Sequence, residues 1–258
     1  MFNQLQNETY NSVGLNMELL GESVHNMNMS MARGYKAKKT TFHETLNGVK
    51  QVTMTDFKSG VPVKTYRELD FAISGEGFFE VVMPDGTVAY TRNGALTVGP
   101  DGTLQTPFGY QITTTASNNE STDPTGQNFN IGLSRSPIKI PPGVKVNLNE
   151  KGELQDPSGN TLGKINLVTF TNLQGMRDIG EGLYLPTRAA GDLNDVQVGN
   201  MNGETKLIQG HLEASNADSV MAMSQILQLN SQIKAEMKIF KTLDQMHGDL
   251  NSTISRNL

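Results

Sequence analysis

Apolar residues near the start of the chain recur at alternating steps of three and four: Tyr10, Val13, Met17, Leu20, Val24, Met27 and Met31. This spacing sets all seven along one stripe of an α-helix. A helix over residues 10 to 31 is roughly 33 Å long at about 1.5 Å per residue, and Gly34 is placed to stop it. Gly14 and Gly21 each cost about 1 kcal/mol there relative to alanine, so packing has to help hold the helix. The end of the chain repeats the pattern with Ala222, Ile226, Leu229, Ile233, Phe240, Leu243, Leu250 and Ile254, interrupted at Glu236 and His247. Asn216 or Asp218 can cap its start by accepting a backbone N–H. Run out to Arg256, this second helix is on the order of 57 Å long. A helix of that length with a single apolar stripe cannot satisfy the stripe by itself.

The middle of the chain reads differently. All ten prolines lie between Pro62 and Pro186, and after Gly210 the only glycine is Gly248. Short apolar or alternating runs predict strands over 69–74, 78–83, 88–91, 95–98, 104–106, 110–114, 145–148 and 164–170. Asp85-Gly86, Asn93-Gly94 and Asp101-Gly102 are expected to supply the positive φ of tight hairpin turns. Residues 102–109 (GTLQTPFG) echo 152–159 (GELQDPSG), which two similar hairpins explain, since two copies are too few for a solenoid. Residues 115–130, rich in Ser, Asn, Thr and Asp, read as an exposed loop. The predicted fold class is α+β. N- and C-terminal helices form a coiled-coil-like core, and the central domain is β-rich, built of short strands and hairpins. The expected organisation is a helical assembly core from 1–36 and 212–258, an extended connector over 37–68, and the β-rich domain over 69–211.

Charge and composition mainly exclude functions. A net charge of −5 and a pI near 5.4 provide no basic field for phosphates, so no nucleic-acid partner is expected. There is no run of about 18 apolar residues, so no membrane insertion is expected. The first residues, MFNQLQNETYN, lack the charged start and apolar stretch of a secretory leader, which suggests a soluble chain or one that leaves the cell by a route using no cleaved leader. The absence of cysteine removes thiolate metal sites and thiol nucleophiles. Four histidines with no paired spacing suggest no zinc site, and His247 on the seam reads as a packing residue. Gly75-Glu76-Gly77 lacks the third glycine of a dinucleotide loop, and Phe78-Phe79 continues a strand where a helix would be needed. Asp101, Asp123, Asp156 and Asp192 sit in turns, where bonding to backbone explains them. No catalytic residue, cofactor or metal is therefore expected. The methionines of the terminal segments, Met17, Met27, Met29, Met31, Met221, Met223, Met237 and Met246, suit an adaptable interface as well as an ordinary helix core.

A family resemblance runs through the same segments. Leu69-Asp70-Phe71-Ala72-Ile73-Ser74-Gly75-Glu76-Gly77-Phe78-Phe79, followed by Ala89-Tyr90-Thr91-Arg92-Asn93-Gly94, resembles the flagellar rod and hook protein family. Asp101-Gly102-Thr103-Leu104 with Gly109-Tyr110, then Gly210-His211-Leu212-Glu213-Ala214-Ser215-Asn216, stand in that family's order. Lys241-Thr242 with Asp244-Gln245-Met246 is similar to its final helix, and Gly34-Tyr35-Lys36-Ala37 with Phe42 to its turn after the first helix. Within the family, Thr169–Asn172 through Gly182–Leu185 resemble distal-rod members most and proximal-rod members next. Two stretches depart from its pattern: residues 25–33 replace an Asn- and Thr-rich string, and residues 230–234 replace a Gln-Arg-aromatic-Glu run.

The resemblance implies a structural subunit of the bacterial flagellar basal body, in the periplasmic rod, exported through the flagellar type III apparatus. Its implied partners are copies of itself, other rod and hook proteins, and the surrounding bushing rings. The implied mechanism is helical polymerisation through the terminal helices into a drive shaft that transmits torque. The expected assembly interface is Tyr10, Val13, Met17, Leu20, Val24, Met27, Met31, Ile226, Leu229, Ile233, Phe240, Leu243, Leu250 and Ile254. Two rivals differ in class: a non-polymerising interaction or adaptor module of the same fold, and an enzyme acting on cell-wall glycan. The second would need a clustered carboxylate pair, to which nothing in the sequence points.

Overall fold

The computed structural model describes residues 2–45, 48–117, 133–196, 198 and 205–256. They form two compact units, one made of residues 1–30, 38–54 and 217–258 and the other of residues 31–37 and 55–216.

The first unit contains two long helices and a hairpin. Helix α1 spans Phe2–Asn28 and continues as a 3-10 turn over Met29–Met31. It begins earlier than the apolar stripe alone predicts, because nothing between Phe2 and Thr9 breaks a helix. The Ser30 hydroxyl closes the last turn by donating to the Met27 carbonyl at 2.8 Å. Helix α2 spans Ser219–Arg256. Asp218 is its cap: the carboxylate accepts from the Val220 and Met221 amides at 2.8 and 3.1 Å, and the Asp218 carbonyl accepts from Ala222. Asp218→Ala is expected to cost roughly 1 kcal/mol, read as faster amide exchange in the first turn of α2. An added Cβ at Gly14 or Gly21 meets nothing within 4 Å. Gly14→Ala and Gly21→Ala should therefore each stabilise α1 by about 1 kcal/mol in the unassembled chain, seen as slower amide exchange along the helix.

Strands Lys38–Thr45 and Gly48–Thr55 pair as a two-stranded hairpin that packs on α1. The docking is polar. The Asn26 amide both donates to the Lys38 carbonyl (2.7 Å) and accepts from its N–H (3.0 Å), and the Glu22 carboxylate accepts from the Thr40 N–H (3.0 Å) and hydroxyl.

The second unit is built on a ten-stranded sheet among the described residues. Its path runs Met176–Gly180, Leu183–Pro186, Val88–Thr91, Phe78–Val82, Gln111–Ser117, Leu104–Gln105 and Thr97–Val98. Phe78–Val82 also pairs with Leu167–Phe170, which in turn pairs with Leu193–Asp195. Successive side chains of a strand point to opposite faces, so Phe78 and Phe79 feed two different cores. Phe79 packs with Phe71, Leu96, Leu104 and Ile112, whereas Phe78 joins Tyr90, Val168, Phe170 and Tyr184. Both rings are essentially inaccessible, which explains why the run reads as continuously apolar. The β-rich centre of the predicted fold is thus present, with strands shorter than expected at several ends. The run over 95–98 is reduced to Thr97–Val98, and 164–170 divides into Thr161–Lys164 and Leu167–Phe170.

The turns show one correction. Gly86 and Gly102 have positive φ, as expected, but Gly94 does not. Glycine is needed there for close approach: a Cβ on Gly94 would lie 1.8 Å from the Phe71 carbonyl oxygen. Gly94→Ala should push the segment around Gly94 away from the strand Phe71–Ser74 and cost about 3 kcal/mol or more, measured by denaturant unfolding. The echoed segments 102–109 and 152–159 fold alike. The Gly102 and Gly109 amides donate to the Gly99 and Thr106 carbonyls, as Gly152 and Gly159 donate to Asn149 and Asp156. Leu104 and Leu154 take equivalent, fully buried positions. The loop expected over 115–130 lies outside the described residues apart from its first three, which extend the strand Gln111–Ser117.

Candidate functional site: the helix faces and a buried ionic node

Helices α1 and α2 pack against each other. Tyr35, just after α1, accepts from the Asn216 amide just before α2 (3.3 Å), while Glu236 midway along α2 meets Ser12 and Asn16. The two helices therefore run antiparallel. The predicted α2 stripe faces inward over much of its length: Ala222, Leu229 and Ile233 are buried, and Ile226 and Leu243 are half-buried. Phe240 is more open, and the side chains of Leu250 and Ile254 lie outside the described set.

On α1 the inward face is rotated from the predicted stripe. Val13, Leu20, Val24 and Met27 are half-buried, but Tyr10, Met17 and Met31 are 72, 59 and 95 % exposed. The α1 residues that meet α2 include small polar ones. Ser12 donates to Glu236 at 2.6 Å, and the Asn16 amide donates to both carboxylate oxygens at 3.0 and 3.1 Å. Ser23 is buried. Glu236 is thus the matched polar position of the seam, where the apolar pattern of α2 breaks.

Much of the apolar surface of the helices is left open. Val220, Met221, Met223, Leu227, Met237, Ile239 and Met246 are exposed on α2. At about 100° per residue, Val220, Met223 and Leu227 fall on one flank of the buried seam and Met221, Ile239 and Met246 on the other. A helix that is apolar on its seam and on both flanks belongs inside something larger than a pair.

The motifs that carry the family resemblance meet at a buried ionic node in the β-rich unit. Lys36 Nζ lies 2.6 Å from Glu213 Oε1, and both side chains are wholly inaccessible. Arg92 Nη1 stands 3.4 Å from Glu213 Oε2. Most of the remaining polar atoms are bonded locally, Arg92 Nε excepted. Gly60 N–H donates to Glu213 Oε1 (2.7 Å), Lys36 Nζ to the Lys58 carbonyl (2.7 Å), and Arg92 Nη2 to the Gly75 carbonyl (2.8 Å). The Arg92 guanidinium also lies over the Phe78 ring. Burial pushes the Lys36 ammonium below the ordinary lysine range, Glu213 opposing that shift and Arg92 adding to it.

Backbone closes around this node. Gly34 N–H donates to the Glu213 carbonyl, and Gly34 has φ +65° with its missing Cβ only 2.6 Å from the Arg92 backbone, so no other residue fits. Asn216 accepts from the Ala37 N–H and donates to the Asp56 and Lys58 carbonyls at 2.6 and 3.0 Å. The residues that follow α1 and precede α2 are therefore clamped to each other and to the sheet. Sequence reasoning missed this node because Lys36 and Glu213 are 177 positions apart.

Among the described residues no three His, Cys, Asp or Glu side chains cluster as metal ligands, and no helix is long and apolar enough to cross a membrane. Asp101 and Asp156 are held below the usual carboxylate range by hydrogen bonds from Thr103 and Asn160, the turn roles the sequence suggests.

Comparison with known proteins agrees with this geometry. The family model described as the flagellar hook protein FlgE/F/G D1 domain matches residues 72–156, and that of the flagellar basal body rod FlgEFG protein C-terminal matches residues 208–253. The flagellar basal-body rod protein FlgG of Buchnera aphidicola subsp. Schizaphis graminum is 34% identical over 200 residues, covering 77% of this chain and 70% of the relative. FlgG of Buchnera aphidicola subsp. Baizongia pistaciae is 28% identical over 257 residues, covering 90% and 91%. The rod protein FlgF of Escherichia coli is 26% identical over 207 residues, covering 78% and 74%. The chain belongs to the FlgE/F/G family of flagellar hook and basal-body rod proteins and is a structural subunit of the flagellar basal-body rod, not an enzyme, resembling the FlgG type more than the FlgF type.

Proposed function

We propose that the chain polymerises helically through α1 and α2 into an axial shaft that carries torque from the basal body to the hook. The observation that carries this reading is the apolar surface left open on both flanks of α2. In this reading the helices form a coiled-coil-like core shared between copies, and the β-rich unit sets the outer radius and lateral contacts. The interface comprises the stripe residues Tyr10, Val13, Met17, Leu20, Val24, Met27, Met31, Ile226, Leu229, Ile233, Phe240, Leu243, Leu250 and Ile254, joined by the flank residues of α2. Neighbours are further copies and other rod and hook proteins, with the bushing rings outside them, and the subunit's place is the periplasmic rod. At roughly 25 cal/mol per Å², several hundred Å² of apolar surface buried per neighbour would contribute on the order of 10 kcal/mol before ordering costs. Many such contacts in series make a stiff tube. Deleting residues 1–31 tests the reading: the truncated chain should fail to assemble, and normal rod formation by it would favour the non-polymerising adaptor instead.

A further inference from the structure

We infer that Glu236, with Ser12 and Asn16, is the register-setting device of the α1–α2 pair, fixing which turn of α1 faces which turn of α2. This goes beyond polymerisation and does not depend on it, since both helices belong to one chain and one unit.

Leu229 and Ile233 are aliphatic, as are Leu19 and Leu20 on the facing helix. Aliphatic residues exchange places along a helix pair at small cost, so such a seam specifies its register weakly. Glu236 does not share that tolerance. It is half-buried at a stripe position and accepts three hydrogen bonds from two uncharged side chains 220 and 224 positions away. A part-buried carboxylate separated from its donors loses those bonds without regaining full hydration.

A slip of one turn, about 5.4 Å, removes one of the two donors in either direction. Sliding four residues one way sets Leu20 where Asn16 stands; sliding four the other way sets Glu8, a like charge, where Ser12 stands. Only the observed register offers the carboxylate both donors. A single polar position that fixes pairing at some cost in stability is the best-attested use of a buried polar group in helix seams. The consequence for the surface follows directly: the register determines how the exposed α1 residues Tyr10 and Met17 line up with the exposed flanks of α2.

The absence of native cysteine makes a disulfide scan clean. In the full chain, L20C is combined in turn with A222C, I226C, L229C and I233C, and the yield of intramolecular disulfide is measured under mild oxidation. With Glu236 intact, one pair should dominate. In the E236L background, yield should spread, with at least a threefold rise in a pair one turn away, while helix content by circular dichroism is unchanged. S12A/N16A, which keeps the carboxylate and removes its donors, should spread the yield in the same way and covers the case in which E236L fails to fold. Comparable yields from several pairs with Glu236 intact, or one pair dominating equally in both altered backgrounds, would overturn the inference.

Discussion

Glu213→Ala should lower the unfolding free energy of the full chain by about 3–5 kcal/mol, the largest single-site effect expected in this protein. The reason is the sharing of one carboxylate between two cations. Glu213 faces both Lys36 and Arg92, and all three are buried. Removing it takes the nearest counter-charge from two buried like charges, leaving only the weaker influence of Asp56 on Lys36 and Glu76 on Arg92, and it also leaves the Gly60 N–H without its acceptor. Lys36→Met should cost distinctly less, because the Arg92–Glu213 pair survives and the methionine fills the space of the lysine stem. Glu213→Gln should fall between them, since an amide oxygen can still accept from Gly60. Urea titration of the three variants gives the order directly. The same change should loosen the segments around Gly34–Ala37 and Glu213–Asn216 before the sheet, visible as faster amide exchange there.

The second large effect is on assembly alone. Leu227→Asp on one flank of α2, or Met246→Asp on the other, changes a residue that is exposed in the single chain. Stability of the unassembled chain should therefore move by no more than about 0.5 kcal/mol. In a polymer that buries these flanks, each Asp becomes an unpaired carboxylate at a dry interface, costing at least about 3 kcal/mol per contact. That weakens association by more than 100-fold, since about 1.4 kcal/mol is a factor of ten. A sedimentation series on the purified chain separates the two quantities. Loss of assembly with unchanged unfolding is the expected result, and unchanged assembly for both variants would argue that these flanks are not buried between copies.

The long-range plan of the molecule was readable because its signals are periodic. Three-and-four spacing located both helices, and the confinement of proline to residues 62–186 marked the β-rich centre. Asp218 was one of the two caps named, and it is the one used, because Asn216 is engaged in the clamp around Ala37, Asp56 and Lys58. What periodicity could not reveal was orientation. The apolar stripe of α1 includes Tyr10, Met17 and Met31, which are exposed, while the helix pair itself uses Ser12 and Asn16. Hydrophobic pattern finds surface that tends to be covered, but not which neighbour covers it. The hairpin Lys38–Thr45 with Gly48–Thr55 escaped notice for a related reason. Its docking on α1 relies on Asn26, Glu22 and threonine hydroxyls, so its described residues carry little apolar alternation. The ionic node was invisible because charge pairing has no sequence period. Its members are recognised in sequence only as short family motifs, and folding shows why those motifs travel together.

The central claim is that the open apolar flanks of α2 are meeting surfaces between copies. A helical reconstruction of the assembled chain at side-chain resolution tests it most directly. The account predicts Val220, Met223 and Leu227 against one neighbouring helix pair and Met221, Ile239 and Met246 against another; a rod in which those six side chains face water would contradict it.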